Sequence, residues 1–160
     1  GDHRDLHSFP TRRSSDLTLQ SKYGNYKFSN VLARTEEASF NGKYSLKLDK
    51  SHPYGMTLLI DSVLEGESFK VSVMRKGINN LGKIVASGES KSDLYITTEN
   101  ENTNDHQQGW NSLSMDFFIP KELHKKMLTI YLFNPNNNPV YFDDLVIVRF
   151  KSHKLDLGRN

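Results

Sequence analysis

Val140-Tyr-Phe-Asp-Asp-Leu-Val-Ile-Val-Arg-Phe150 is an apolar run of β-branched and aromatic residues with two adjacent carboxylates set into it. Such residues suit a pleated, half-buried surface, and the run reads as the last strand of a β-sandwich. Working back from it, 134–139 (NPNNNP) is an irregular turn and 127–133 (MLTIYLF) a strand. Residues 121–126 make one helical turn, and 110–119 carry Leu113, Met115, Phe117 and Ile119 at period two before Pro120. The polar, amide-rich 99–109 reads as a loop, and two short strands are expected at 83–87 and 93–98. Residues 68–75 (SFKVSVMR) turn Phe69, Val71 and Val73 inward, and 44–49 (YSLKLD) place Tyr44, Leu46 and Leu48 on one face. Further strands are expected at 56–61 and, weakly, at 27–35, with turns at 51–55, 65–67 and 76–81. Eight to nine short antiparallel strands with a turn about every ten residues predict an all-β chain, a sandwich or barrel.

The first seventeen residues stand apart. GDHRDLHSFPTRRSSDL resembles the conceptual translation of a short-read sequencing adapter, one frame of which supplies every residue from Gly1 to Leu17. It is therefore read as a non-native leader, with 18–150 as the β-sandwich module and 151–160 as a polar tail. The leader carries three Arg and three Asp, so setting it aside leaves the net charge at +2. The missing initiator Met fits an open reading frame cut short. Any signal peptide, neighbouring domain or first strand is expected upstream.

Composition narrows the function classes. Charged residues make up 25% of 160 residues and are scattered, so there is no electrostatic footprint for nucleic acid. No apolar run approaches the roughly 20 residues that span a bilayer. Cysteine is absent, which removes disulfides and thiolate metal sites without fixing the compartment.

The segments 38–46 (ASFNGKYSL), 64–73 (LEGESFKVSV), 110–120 and 140–145 (VYFDDL), in that order, resemble a carbohydrate-binding-module jelly roll. The likeness extends to the galactose-binding-like β-sandwiches appended to bacterial glycoside hydrolases and surface proteins, and it covers most of 18–150. It implies a jelly-roll β-sandwich, a non-catalytic role, a glycan partner, and an extracellular, cell-surface or periplasmic location.

In a regular strand, neighbours point to opposite faces, so one of Asp143 and Asp144 must meet the apolar side or sit at the rim. An unpaired buried carboxylate is costly, and either a hard cation or hydrogen-bonding N–H groups relieve it. The resemblance implies a structural Ca2+ held by Asp143 or Asp144, backbone oxygens around Asn41 and Lys43, and Glu37; a carboxylate cap on backbone N–H groups is the alternative. Flat aromatic faces stack on pyranose C–H surfaces, which makes Trp110, Tyr54 and Tyr95 the candidate glycan platform. Their other reading is as ordinary strand and sheet-edge residues. In the strand after Gly66, where the family often has an aromatic, this chain has Met74.

No catalytic pattern emerges. His52, His106, His124 and His153 have no metal-ligand spacing, and no phosphate loop or nucleophile elbow is present. Glu99, Glu101 and Asp105 read as solvated. Two expectations follow. One is a glycan-binding accessory module of a larger exported bacterial protein; the other is a structural or interaction jelly roll without sugar binding.

Overall fold

A computed structural model of the chain describes the backbone of residues 3–8, 20–21, 24–25, 28–30, 32–78, 81–98 and 101–151, and the side chains of 28–30, 32–78, 81–98 and 108–151. Its strands in chain order are β1 (His3–Ser8), β2 (Gln20–Ser21), β3 (Gly24–Asn25), β4 (Phe28–Ser29), β5 (Arg34–Thr35), β6 (Ser45–Leu48), β7 (Tyr54–Ile60), β8 (Ser68–Gly77), β9 (Lys83–Ser87), β10 (Tyr95–Thr98), β11 (Glu101–Gln107), β12 (Trp110–Phe118), β13 (Leu128–Phe133) and β14 (Val140–Phe150). A 3-10 turn, Lys121–Leu123, stands where one helical turn is expected. No helix among the described residues is long and apolar enough to cross a membrane.

The expected sandwich is the fold observed. A seven-stranded sheet runs β11-β12-β8-β14-β6-β5 with β1 on β14, and a five-stranded sheet runs β10-β9-β13-β7-β4. All pairings are antiparallel, and β2–β3 forms a separate ribbon. The core is built by alternation. Phe69, Val71 and Val73 of β8 and Leu113, Met115 and Phe117 of β12 meet Leu58, Ile84, Ile130 and Leu132 of the facing sheet. Burying each such side chain is worth about 1.5–3 kcal/mol, so the two inner faces hold the sandwich shut.

Two expectations are corrected. Residues 99–109 are not one loop, because 101–107 form β11, joined to β12 through Gln108-Gly109. Both connecting residues have positive φ, 55° and 82°, the geometry of the tight hairpin turn whose twist matches its strands. The weak first strand at 27–35 divides instead: β4 joins the five-stranded sheet and β5 the other, with the chain turning at Asn30 (φ 56°). The expected positions of His153 and Glu99 lie outside the described residues, and so do the side chains of Glu101, Asp105 and His106. Most of the leader and of the tail lies outside them as well.

Candidate functional site

Two β-bulges decide which side chains reach the surface. In β7 the register slips opposite Ile130–Leu132 of β13, with Met56 at φ 47°. The extra residue shifts the alternation by one. Leu58 and Met56 point into the core, and without the slip Tyr54 would follow them. Instead Gly55 takes the inward position, where a Cβ would run into Leu46 and Leu48, and Tyr54 emerges on the outer face of the sheet.

There it meets an aromatic row. Tyr54 pairs across the strands with Phe133, and their rings stack at 4.8 Å and 14°. Tyr131 meets Tyr54 edge-on at 5.9 Å. Tyr54 is 49% exposed and Tyr95, on β10, is 43% exposed, with the Lys91 ammonium 4.8 Å above the Tyr95 ring. Thr97, Val85 and Tyr131 form one cross-strand row, and Tyr95, Ser87, Thr129 and Leu59 form another. Burial, with smaller contributions from Tyr95 and Tyr54, pushes the Tyr131 phenol up, so it stays a neutral donor and acceptor across the physiological range. At the Tyr54 end the face continues into a groove of about 210 Å³ lined by Asn30, Ser51, His52 and Tyr54 among others. Ring faces flanked by threonine and serine hydroxyls suit a ligand that presents C–H surfaces and hydroxyls together.

Trp110 does not join this row. It starts β12 in the other sheet and is only 2% exposed, its ring edge-on to Phe40 at 5.9 Å and 63°. A stacking platform needs an open ring face, so the platform reading of Trp110 is corrected: the indole is packed under a loop. Tyr54 and Tyr95 are brought together on one face, while Tyr131 and Phe133 were overlooked because MLTIYLF reads as core strand. Alternation places both aromatics opposite the buried Ile130 and Leu132, and that is the signal which marks them.

The loop over Trp110 is held by the residues read as a metal set. In β14 the register slips between Asp143 and Val146, and Asp144 sits at φ 49°. This second bulge resolves the paired-carboxylate problem, since Phe142 and Leu145 both face the core while neither carboxylate does. Asp143, 3% exposed, accepts N–H bonds from Phe40 (2.8 Å) and Asn41 (3.1 Å) on Oδ2 and from Asp144 (2.8 Å) on Oδ1. Glu37 accepts from Lys47 Nζ (2.7 and 2.9 Å) and from the Tyr141 hydroxyl (2.8 Å), bonds that hold its carboxyl below the usual range. Lys43 pairs with Glu36 at the surface.

These donors do not fit a calcium ion. The N–H groups of Phe40, Asn41 and Asp144 and the Lys47 ammonium present positive ends to the carboxylates a cation would need. No three acidic or histidine side chains among the described residues converge on one point. Asp143 is the hydrogen-bonded cap, and Asp143, Glu37, Asn41 and Lys43 form a clamp on the 36–43 loop.

Burial, reinforced by Asp143 and partly offset by Asn41, raises the Asp144 carboxyl above its ordinary value. The folded chain therefore holds that proton more tightly than the unfolded one. The ionised form lowers stability above the folded-state pKa, and the penalty vanishes below the unfolded value. Asp144→Asn removes the charge and tolerates the left-handed backbone. It is expected to stabilise modestly at pH 7, because solvent screens a carboxyl this exposed, with a smaller gain at pH 3, as read from urea unfolding at both pH values.

No protein-family model matches the chain, and no curated protein matches it. Solved structures do. The N-terminal CBM22-1-CBM22-2 tandem domain of Paenibacillus barcinonensis Xyn10C superposes with a TM-score of 0.52 at 16% identity, over 85% of this chain and 42% of that one. A xylan-binding domain from CBM 22 superposes at 0.50 and 15% identity, covering 74% of this chain and 81% of that one. The apo form of a cyclase from Fischerella sp. gives 0.51 at 15% identity, over 91% and 80%. The chain thus spans under half of the tandem protein's length. At these identities the likeness is one of fold: the jelly-roll sandwich is the one carbohydrate-binding modules use.

Proposed function

We propose that this chain is a non-catalytic carbohydrate-binding module that takes a glycan on the outer face of its five-stranded sheet. It would serve as an accessory module of a larger exported bacterial protein, at the cell surface, in the periplasm or outside the cell. The observation that carries this reading is the cluster of Tyr54, Phe133, Tyr131 and Tyr95 on the outer face of one sheet, with Tyr54 and Tyr95 exposed and Tyr131 and Phe133 half-buried. Tyr54 and Tyr95 leave ring surface in water that the C–H face of a sugar would cover. The fold supports the reading, because proteins of the same architecture are described as carbohydrate-binding modules and one of them as xylan-binding.

The test is affinity electrophoresis and calorimetry of the full chain against soluble xylan, mixed-linkage glucan, galactomannan and pectin. Saturable binding to at least one is expected. Tyr54→Ala and Tyr131→Ala should each weaken it about tenfold, the loss of about 1–2 kcal/mol of stacking. Trp110→Phe, beneath its loop, should leave affinity unchanged. No binding by a cooperatively melting chain would establish the structural jelly roll instead, and binding indifferent to both tyrosine variants would move the site off this face.

A further inference from the structure

The groove beside Tyr54 is built from two segments, Ser51–Tyr54 on one side and Asn30, Leu32 and Ala33 on the other. Both are tied to the rest of the fold. Asp49 Oδ1 accepts the N–H groups of Ser51 (2.8 Å) and His52 (3.0 Å), and the Pro53 carbonyl accepts the N–H of Asn134 at 2.8 Å. The Asn30 carbonyl accepts the Met56 N–H at 3.2 Å, and the Ala33 carbonyl accepts the Lys47 N–H at 2.8 Å. A ligand entering between these segments has little backbone left to order, which favours its binding.

The lining offers both kinds of surface that a sugar presents. Leu32 is 85% exposed and Tyr54 49%, so apolar area stands open at the groove. Ser51 and His52 give their backbone N–H groups to Asp49 and keep hydroxyl and imidazole at the surface. Asn30 donates Nδ2 to the Thr57 hydroxyl at 3.0 Å, which fixes the amide and leaves Oδ1 as an acceptor. Size limits the occupant. At about 210 Å³ the groove is smaller than the roughly 300 Å³ at which clefts for drug-sized ligands begin, so it suits one sugar ring and not a run of them. Tyr54 belongs to this lining and to the aromatic cluster on the sheet, so a glycan stacked there reaches the groove directly.

We propose that this groove takes a single terminal glycosyl unit, a glycan chain end or a one-sugar branch, of the polysaccharide held on the aromatic face. The assignment rests on the glycan reading of that face and adds to it a preference for ends or branches. The C–H side of the ring meets Tyr54 and Leu32, and its hydroxyls meet Asn30, Ser51 and His52. An interior unit of an unbranched glycan is linked on both sides and cannot enter a one-ring groove without its neighbours. A terminal unit has one linkage and can.

The test is calorimetry of the full chain against soluble xylan, mixed-linkage glucan, galactomannan and pectin. Each is measured intact, after enzymatic removal of any single-sugar branches, and after cutting to hexasaccharides, at equal total sugar. A loss of about tenfold on removing branches would assign the groove to a branch, and a gain of about tenfold on cutting would assign it to a glycan chain end. Ser51→Phe fills the groove and should erase that difference, and His52→Ala should reduce it. Both substitutions keep the backbone bonds to Asp49 at exposed positions, so the melting temperature should hold. Equal affinity for all forms, with Ser51→Phe indifferent and Tyr54→Ala still weakening binding, overturns the groove assignment and leaves the sheet face as the site. No binding to any form overturns the glycan reading itself and the groove assignment with it.

Discussion

Glu67→Ala is expected to destabilise the chain by about 3–5 kcal/mol, enough to consume a large part of a domain's stability. Glu67 lies in the β7–β8 turn and is only 2% exposed. Its carboxylate receives Arg149 Nη2 at 3.0 Å on Oε1 and 2.7 Å on Oε2, and the Leu64 N–H at 2.9 Å. The same Arg149 nitrogen donates to the Ser62 carbonyl at 3.2 Å. Glu67 also exchanges backbone bonds with Leu64 and Ile119, so one residue ties the turn, the end of β12 and the end of β14 together. Truncation leaves the guanidinium in a largely buried place without its carboxylate, and that loss outweighs any gain from the removed desolvation of Glu67. Glu67→Gln keeps the shape and the Leu64 bond and should cost roughly half as much. Lys43→Ala, at an exposed ion pair, should leave the unfolding midpoint essentially unchanged. Urea unfolding decides it, and a loss under about 1 kcal/mol for Glu67→Ala would mean the pair adds little.

This pair also shows where sequence reading stops. Alternation made β8, β12, β13 and β14 readable, because residues such as Val71, Leu113, Ile130 and Ile147 repeat at the period that burial imposes. It also contained a sign of the Glu67 contact: Arg149 keeps phase with Leu145 and Ile147, a charge on the inward side that demands a partner. What the period cannot report is its own interruption. Met56 carries no residue-type mark of a bulge and Asp144 only the general tolerance of Asp for positive φ, yet the slip at Met56 brings Tyr54 outward beside Phe133, and the slip at Asp144 turns two carboxylates away from the core. Of the proposed site, therefore, the sequence offers Tyr54 and Tyr95 as platform aromatics but not Tyr131 and Phe133 beside them. Trp110, the most conspicuous residue, was placed on a platform although a loop folds over it. The order of residues contained no trace of that loop's position, since Phe40 and Asp143 lie 103 residues from each other in sequence and meet through one N–H bond.

Asp143→Ala should cost about 2–4 kcal/mol and, unlike the Glu67 change, should also open a particular loop. Three backbone N–H groups end on this carboxylate, two of them from Phe40 and Asn41 at the crest of the 36–43 loop. Bonds to a charged acceptor are worth about 1.5–3 kcal/mol each in favourable settings, but a loop released to water recovers part of that loss by hydration. The net effect is therefore smaller than the sum. Phe40 closes over Trp110, so the chain's single tryptophan reports on the loop directly. In Asp143→Ala the native baseline of Trp110 emission should shift to the red and become quenchable by acrylamide, while far-ultraviolet dichroism keeps its β character. Asp143→Asn separates charge from shape: its amide oxygen serves only part of the N–H set, so an intermediate loss is expected. Glu37→Gln weakens the far end of the same loop, where Lys47 and Tyr141 hold it, and should redden Trp110 with little loss of global stability. A chelator should leave the wild-type melting temperature unchanged, because N–H groups rather than a cation neutralise Asp143. A melting temperature that falls on chelation and returns with calcium would overturn the clamp and restore the ion. Unchanged Trp110 emission in Asp143→Ala would show that packing, and not this carboxylate, keeps the loop closed.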